Sequence, residues 1–300
     1  MSEQLSIFPD SRNDMQPSKK KTKVVNVASV PQRSPFRYPG GKTWFVPTFR
    51  QWMKRSNPKE TTLIEPFAGG GIVSLTAAFE NLANKILMVE LDEEIAAVWD
   101  TIINQGKGDW LADQIMDFEL TMENARDEII RKKKSIKEKA FATILKNRIY
   151  HGGILANGSG MLKHGENGKG ISSRWYPGTL KKRIKEIGLV KDKIEFLKKD
   201  AFKVIERYKD DKKCVFFVDP PYTVAGKRLY THSVIDHEKL FALLSKVKGS
   251  FLITYDDADE ITGLAEEFGL EYRRIPMKTT HHITKYELII SDSFDWFDDQ

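Results

Sequence analysis

The fold is decided by the stretch TLIEPFAGGGIVSLTAA, residues 62–78. It begins with an apolar strand, Thr62 to Ile64, passes through three consecutive glycines and continues into an apolar helix-forming run. A second unit follows, in which the strand Lys85 to Val89 ends at Glu90 and a helix begins through Asp92. Strand, turn, helix and strand in this order predict the start of an α/β fold with a parallel sheet.

The same alternation returns in the last third of the chain. Val215 to Val218 is an apolar strand, and a helix follows with Asp236 as its N-cap and Gly249 at its close. The pattern then predicts a strand at 251–254, a helix at 258–268 and a strand at 286–290. We therefore expect one catalytic domain, a mostly parallel sheet flanked by helices, built from residues 34–103 and 199–300.

Residues 104–198 interrupt this alternation and predict a mainly helical insert. The insert has a helical stretch at 138–150 and a glycine- and asparagine-rich loop at 151–170. Residues 131–200 contain 19 Lys or Arg and 6 Asp or Glu, a net charge of +13 in a chain of +6 overall. Such a block is typical of a polyanion-binding surface, because each cation set against a phosphate releases a counterion. A solvated lysine-rich helix face is the alternative.

The composition of the chain limits the classes of protein to which it can belong. Three hundred residues with 40% hydrophobic content suffice for one sizeable core. No apolar run approaches the roughly 20 residues that span a bilayer, and the polar N-terminus is not a signal peptide, so we expect a cytoplasmic, non-membrane protein. Residues 1–33, with Lys19 to Lys21, predict a disordered basic tail. The single cysteine, Cys214, excludes an internal disulfide and a cysteine zinc cluster.

The glycine turn and Glu90 predict a nucleotide-like ligand. In a doubly wound sheet such ligands bind where the first strand turns into a helix, and glycines allow a close backbone approach. Glu90, at the carboxyl end of the next strand, has the place of an acid that accepts ribose hydroxyls. Several cofactors fit this pattern, and an ordinary tight strand-to-helix turn fits it too. The dinucleotide pattern Gly-x-Gly-x-x-Gly is not present from Gly69.

The tetrapeptide Asp219-Pro220-Pro221-Tyr222, directly after an apolar strand, indicates the chemistry. An exocyclic amine on an aromatic base is a poor nucleophile, because its lone pair is delocalised into the ring. A carboxylate and a prolyl carbonyl that accept the two amine hydrogens favour a tetrahedral nitrogen and expose that lone pair. Rigid prolines fix these acceptors, and Tyr222 offers a face for stacking. The base must first be flipped out of the duplex.

The order of these motifs resembles the Dam-type adenine-specific DNA methyltransferases of the D12 class, in the α-group arrangement. The family has a Pro-Gly-Gly-Lys element, then the glycine turn, the target-recognition insert and Asp-Pro-Pro-Tyr, and all four occur here in that order. The resemblance implies a Rossmann-like S-adenosylmethionine-dependent methyltransferase that acts on the N6 amino group of adenine in duplex DNA. The family usually has Asp where this chain has Glu90, and either carboxylate can accept ribose hydroxyls.

The resemblance also implies site residues. Asp219, Pro220, Pro221 and Tyr222 are the expected catalytic residues. The expected contacts to S-adenosylmethionine are Tyr38, Lys42, Glu65, Phe67, Gly69, Glu90, Asp200, Phe202 and Asp219. Asn147-Arg148 resembles the segment that opens the recognition region, and Arg174 lies where a recognition hairpin is expected. Together with basic residues of the insert, the expected DNA-binding set is Lys132, Lys133, Lys134, Asn147, Arg148, Arg174, Lys181, Lys182 and Arg183. A cognate restriction endonuclease is a further candidate partner.

Several other interpretations are weaker. Gly40-Gly41-Lys42-Thr43 imitates a phosphate-binding loop, but Phe36 stands where its first glycine belongs. A cytosine ring-carbon methyltransferase needs a cysteine after proline, and Cys214 follows Lys213. His281 and His282 are adjacent in a strand and point to opposite faces, so we expect no metal site. The loop Tyr230 to Ser233 resembles the family's cover over the flipped base. An RNA-directed or catalytically silent nucleic-acid-binding homologue is the alternative function.

Overall fold

A computed structural model describes residues 29–38, 40–156, 158–221, 235–278 and 284–297 of the chain. Seven strands of these residues form one sheet in the order β3-β2-β1-β4-β5-β7-β6. The strands are β1 Thr62–Glu65, β2 Lys85–Glu90, β3 Ile194–Lys198, β4 Cys214–Val218, β5 Ser250–Asp256, β6 Glu271–Lys278 and β7 Thr284–Ser291. Strands β1 to β5 pair in parallel, and β7 runs antiparallel to both of its neighbours. This mixed α/β sheet confirms the expected Rossmann-like fold class.

Strand order reverses beside β1, which pairs with β2 on one side and with β4 on the other. The chain leaves β1 and β4 in opposite directions along the sheet, and a crevice opens at their carboxyl ends. Ligands of open α/β sheets bind at such a switch point. The fold therefore brings the ends of β1, β2 and β4, with the residues that follow them, to one place.

The described helices begin and end close to the sequence signals. They are α1 Val46–Met53, α2 Ile72–Glu80, α3 Glu93–Trp99, α4 Gly108–Asp117, α5 Met122–Ile130, α6 Ile136–Ile149, α7 Pro177–Gly188, α8 Ala201–Tyr208, α9 His237–Leu244 and α10 Asp259–Glu267. Asp92 caps α3 and Asp236 caps α9, each by accepting backbone N–H groups of the first turn. Gly249 does not close α9, which ends at Leu244. A Cβ at Gly249 would lie 1.9 Å from the Cys214 carbonyl, so this glycine lets the chain pass β4 closely.

Both faces of the sheet are covered by apolar side chains. Neighbouring residues of β4 illustrate the division, because Phe217 packs in one layer with Leu63 and Phe216 packs in the other with Ile64. Burial on both faces explains why the central strands are continuous apolar runs. Helices α8, α9 and α10 cover the layer of Phe216. No described helix is long and apolar enough to cross a membrane.

The predicted insert packs on the sheet layer of Phe217 and shares its core. Leu111 of α4, Ile144 of α6 and Ile184 of α7 belong to the same buried cluster as Leu63 of β1. Residues 194–198, at the end of the predicted insert, form the edge strand β3 and pair with β2. The last residues of the predicted insert therefore belong to the sheet.

The last residues of the predicted tail, near residue 33, pack against the folded domain. Val30 is buried in the core, and Arg33 pairs with Glu80 at 3.3 Å while lying over the ring of Phe79. The packed chain therefore begins before residue 34. Residues 1–28 lie outside the described part of the chain.

Candidate active site

A cavity of about 430 Å³ opens at the carboxyl ends of β1, β2 and β4. Its wall contains all nine residues that the sequence predicts for a cofactor: Tyr38, Lys42, Glu65, Phe67, Gly69, Glu90, Asp200, Phe202 and Asp219. Pro221 lines it as well, whereas Tyr222 lies outside the described residues. The loop at 230–233 and the two histidines at 281 and 282 also lie outside them.

The glycine turn is shaped around Tyr38. Gly69 and Gly71 have φ angles of +46° and +66°, which favour glycine. A Cβ at Gly69 would lie 2.7 Å from the Tyr38 ring, and one at Gly70 would lie 2.9 Å from the Tyr38 Cβ. Trp99 donates its indole N–H to the Gly69 carbonyl at 2.8 Å. The glycines thus permit the approach of Tyr38, while the turn still lines the cavity.

Glu90 fastens this turn to the end of β2. Its Oε2 accepts the Gly69 N–H at 2.9 Å, and its Oε1 accepts the N–H groups of Leu91 and Asp92 at 2.8 and 2.9 Å. Burial raises the pKa of Glu90 against the pull of these hydrogen bonds. Each carboxylate oxygen has two lone pairs, so the group can still accept a ligand hydroxyl.

Glu65, the last residue of β1, is a buried acid on the cavity wall. Only 3% of its surface is exposed, and its Oε2 accepts both the backbone N–H and the hydroxyl of Ser74, in the first turn of α2. Burial raises the pKa of Glu65 to about 8, an effect that the neighbouring carboxylates of Asp219 and Glu90 reinforce. Near neutral pH the group is therefore largely protonated in the protein without ligand.

Asp219 is held by residues from three distant parts of the chain. Its Oδ1 lies 3.0 Å from Lys42 Nζ and accepts the Thr254 hydroxyl at 2.8 Å. Lys42 Nζ also lies 3.4 Å from Glu287 Oε2 on β7. Thr254 meets Asp219 because Val218 and Ile253, the preceding residues of β4 and β5, are in register. The result is an ion cluster in which Lys42 and Glu287 are buried, while Asp219, the first residue of the Asp-Pro-Pro motif, stays 22% exposed at the cavity.

The opposite charges in this cluster counteract the effect of burial on the pKa values of Lys42 and Asp219. Burial alone would lower the pKa of Lys42, but Asp219 and Glu287 outweigh it and raise that pKa, so the ammonium stays charged. Burial raises the pKa of Asp219, and Lys42 acts in the opposite direction. Asp219 is consequently a stronger proton acceptor than an exposed aspartate, held in a fixed orientation.

Two further predicted residues border the mouth of the cavity. Asp200 caps α8 by accepting the Lys203 N–H at 3.1 Å, and Phe202 is half-buried beneath Lys239, whose Nζ lies 5.6 Å from the ring centre. Both follow β3, which the sequence did not predict, so they reach the cavity from the edge of the sheet.

The residues predicted to bind DNA separate into two groups. Arg148, Arg174 and Arg183 line the cavity. Asn147 is fully buried, and its partners among the described residues are backbone groups: it accepts the Arg37 N–H at 2.8 Å and donates to the carbonyls of Arg37 and Gly153 at 3.0 and 2.7 Å. In this structure Asn147 therefore fixes the segment before Tyr38.

The lysines form the second group, away from the cavity wall. Lys133 donates to the carbonyls of Glu128, Ile129 and Arg131 and so caps the end of α5. Lys181 pairs with Asp113 at 3.0 Å, and Lys182 approaches Glu186 at 3.9 Å. Lys132 and Lys134 are exposed beside Lys133. The structure therefore does not bring the lysines and the arginines to one place.

Sequence reasoning missed Thr254, Glu287, Ser34 and Arg37. Thr254 had a usable signal, because it ends a predicted strand beside the one that precedes Asp219. Ser34 donates to the Gly70 carbonyl, a contact that no local pattern indicates. Glu287 reaches Lys42 only because β7 runs antiparallel beside β5.

The fold and site together define a Rossmann-like methyltransferase, with a glycine turn, an acid on the second strand and Asp-Pro-Pro after the fourth. A family model described as D12 class N6 adenine-specific DNA methyltransferase matches residues 38–280. The chain belongs to this family. Its members' activity implies a DNA substrate and a methyl donor of the S-adenosylmethionine type.

Solved structures show only distant likenesses. A precorrin-6y C5,15-methyltransferase from Geobacter metallireducens has 10% sequence identity and a TM-score of 0.37, over 82% of this chain and 84% of its own. An rRNA methyltransferase from Streptomyces viridochromogenes has 12% identity and a TM-score of 0.41, over 92% and 97%. No curated protein matches the chain in sequence. The chain is therefore assigned to its family by the match over residues 38–280.

Proposed function

We propose that this chain transfers the methyl group of S-adenosylmethionine directly to the N6 amino group of an adenine flipped out of duplex DNA. The observation that carries the proposal is the placement of Asp219 on the cavity wall, with its Oδ1 fixed by Lys42 and Thr254 at 3.0 and 2.8 Å. A carboxylate oriented before the substrate arrives accepts an amine hydrogen without reorganising during the reaction.

The cavity has the size and the donor set for the cofactor. Its volume of about 430 Å³ lies in the range of pockets for small molecules. Glu65 offers a carboxyl group for the ammonium of the methionine moiety, Glu90 offers the remaining lone pair of its Oε2 to a ribose hydroxyl, and Phe202 offers a ring face for the adenine. S-adenosylmethionine, when bound, supplies an electrophilic methyl group on a sulfonium sulfur.

The chain's own residues then prepare the amine. Asp219 and a prolyl carbonyl of the motif accept the two N6 hydrogens, so the nitrogen becomes tetrahedral and its lone pair faces the methyl carbon. The N–C bond forms as the C–S bond breaks, and sulfur keeps the electron pair of that bond. The nitrogen then gives up one proton to the Asp219 carboxylate, which releases it to solvent. Burial favours this step because it raises the pKa of Asp219.

The position of Cys214 supports nitrogen-directed rather than ring-carbon transfer. This residue begins β4, so about 16 Å of extended chain separates it from Asp219 at the other end. It is buried, and burial raises the pKa of its thiol to about 12, which disfavours the nucleophilic thiolate.

The test is methyl transfer to duplex DNA from methyl-labelled S-adenosylmethionine, followed by digestion and mass identification of the labelled nucleoside. We expect N6-methyldeoxyadenosine from the wild type and a loss of at least about 100-fold for Asp219→Asn, since Asn cannot take the proton. Cys214→Ser is the matched control on the same strand and should retain activity. Label on cytosine carbon, label on RNA alone, or full activity of Asp219→Asn would each contradict the proposal.

A further inference from the structure

The segment of residues 34–38 lies between the predicted insert and the glycine turn of the cavity. Helices α6 and α7 of the insert bind this segment by its backbone. Arg183 of α7 donates to the Ser34 carbonyl at 3.0 Å. Asn147 of α6 accepts the Arg37 N–H at 2.8 Å and donates to the Arg37 carbonyl at 3.0 Å. The insert therefore fixes the path of the chain just before Tyr38.

Alternate side chains of the same segment contact the glycine turn and its support. Ser34 donates its hydroxyl to the Gly70 carbonyl. The ring centre of Phe36 lies 5.5 Å from that of Trp99, whose indole N–H binds a carbonyl of the turn. A Cβ at Gly70 would lie 2.9 Å from the Cβ of Tyr38, so the turn and Tyr38 are in close contact. The segment thus connects the insert to the part of the cavity wall that is proposed to hold the cofactor.

Asn147 makes the most specific of these connections. Its side chain is fully buried, and its amide binds the N–H and the carbonyl of Arg37 together with the carbonyl of Gly153 at 2.7 Å. An amide can do this because it carries an acceptor oxygen and two donor hydrogens. Gly153 has a φ of +76°, and a Cβ there would lie 2.3 Å from the Arg37 carbonyl oxygen. The glycine therefore permits the close approach that Asn147 completes.

We infer that Asn147 is a positioning residue of the cofactor site, which acts through the backbone of Arg37 to hold Tyr38 against the glycine turn. The inference rests on the proposed function, because it assumes that S-adenosylmethionine occupies this cavity. It gives Asn147 a different role from the DNA contact that the sequence predicts. A side chain with no exposed surface offers no contact to DNA in this structure.

Loss of the Asn147 amide should loosen the cofactor site as well as α6. The N–H and the carbonyl of Arg37 would lose this partner, and backbone groups that lose a buried partner favour a conformation that satisfies them again. The segment would then shift, and Tyr38 would shift with it. The glycine turn, which Glu90 holds from the other side, would lose the ring that packs against it. Because Tyr38 and Glu90 both line the cavity, the cofactor should bind less tightly.

The experiment compares the wild type with Asn147→Ala and with Ser34→Ala. The first variant removes the connection to the insert, and the second removes the connection to the Gly70 carbonyl at the other side of the segment. Thr143→Val is the matched control, because Thr143 is equally buried on α6 but donates to the Lys139 carbonyl of its own helix. S-adenosylmethionine binding is measured by calorimetry without DNA, and duplex DNA binding by anisotropy without cofactor. Hydrogen exchange of backbone amides is followed by mass spectrometry.

We expect Asn147→Ala to raise the Kd for S-adenosylmethionine by about tenfold or more, and Ser34→Ala to raise it by about threefold. The Kd for DNA should stay within about twofold in both variants, and Thr143→Val should leave both Kd values within about twofold of the wild type. In Asn147→Ala the amides should exchange faster at residues 36–38 and also at the glycine turn, residues 69–71. A packing role confined to α6 would not change exchange at the turn.

Two results would overturn the inference. The first is an unchanged Kd for S-adenosylmethionine in Asn147→Ala, which together with weaker DNA binding would return this residue to the DNA contacts. The second is an equal loss of cofactor affinity in Thr143→Val, which would trace the loss to a loosened α6. If Asn147→Ala does not fold, Asn147→Ser, whose hydroxyl can still bind one Arg37 group, enters the same comparison.

The proposed function fails separately from this inference. If the wild type binds S-adenosylmethionine but methylates no DNA, calorimetry still decides whether Asn147 positions the cofactor site. If the wild type binds no cofactor, hydrogen exchange at residues 69–71 decides whether Asn147 holds the glycine turn. Unchanged exchange there in Asn147→Ala would count against the positioning role.

Discussion

Replacing Glu65 by Gln tests the most unusual ionisation in the site. The pKa of Glu65 is about 8 in the folded chain against an ordinary value of 4.5. Between these values the folded chain holds a proton that the unfolded chain has released, so raising the pH favours unfolding. The stability linked to Glu65 is thus present at low pH and is lost as the pH rises toward 8.

The magnitude follows from the two pKa values. Each pH unit between them changes the free energy of unfolding by up to about 1.4 kcal/mol, and the effect flattens near pH 8. Between pH 6 and pH 8 the wild type should lose about 2 kcal/mol through this group. The side chain of Gln in Glu65→Gln cannot ionise but can still accept hydrogen bonds from Ser74. The free energy of unfolding of this variant should therefore not fall through this group between pH 6 and pH 8, and the variant should gain the same amount of stability relative to the wild type over that range.

The assay is urea unfolding at pH 6, 7 and 8, followed by tryptophan fluorescence, since the chain has six tryptophans. Glu267→Gln, which changes an exposed carboxylate at the end of α10, is the control, and its difference from the wild type should not vary with pH. The reasoning is refuted if the free energies of unfolding of the wild type and of Glu65→Gln change with pH by the same amount. Agreement within about 0.5 kcal/mol counts as the same amount, because that is the limit of such comparisons.

Cofactor affinity should follow the same titration. An ionised Glu65 attracts the ammonium of S-adenosylmethionine and a protonated one does not, so the Kd of the wild type should fall by up to about tenfold per unit as the pH rises from 6 to 8. The Kd of Glu65→Gln should be higher and nearly independent of pH in that range. Calorimetry in buffers of different ionisation enthalpy should detect release of one proton on binding to the wild type alone.

The remaining predictions concern the glycine turn and the lysines of the insert. Gly69→Ala should cost at least about 1–2 kcal/mol, because of its positive φ and the Cβ that would meet Tyr38 at 2.7 Å. Gly263→Ala, in open space within α10, should instead stabilise by about 0.5–1 kcal/mol, and chemical denaturation measures both. Lys133→Met should lower the stability by about 1 kcal/mol or more, because it removes the cap of α5. Lys132→Met should leave stability unchanged and flatten the salt dependence of DNA binding, and an unchanged slope in an anisotropy titration would count against that role.

The central strands could be predicted because burial on both faces makes them continuous apolar runs, as in Val215 to Val218. The edge strands β3 and β6 could not. In β6 the sequence EYRRIPMK alternates apolar and charged residues around Pro276, a residue that edge strands tolerate and that argues against a strand in the interior. Only pairing with β7 identifies this segment as a strand.

The residues proposed to hold the cofactor could be predicted to lie together to the extent that they follow strands in sequence. Glu65, Glu90 and Asp219 each end or follow a strand whose apolar pattern is visible, and parallel strands bring their carboxyl ends to one edge. Whether an arginine faces the cavity or a lysine faces a carboxylate depends on the rotation of α7 against the sheet, which charge counts along the sequence do not contain. The basic segment was therefore visible, but the separation of Arg183 from Lys181 and Lys182 was not.

Lys42 shows why a motif residue can be recognised while its partners cannot. The resemblance places it near the cofactor, and it does line the cavity, but its ammonium lies against Asp219 and Glu287. Glu287 belongs to β7 and Asp219 directly follows β4, and the Lys42 ammonium lies between the two carboxylates, at 3.0 Å from Asp219 and 3.4 Å from Glu287. We therefore expect the charge of Lys42 to stabilise the fold and to orient Asp219. Lys42 and Thr254, which orient the proposed catalytic carboxylate of Asp219, lie far from it in sequence, so its orientation depends on tertiary contacts that its own tetrapeptide does not encode.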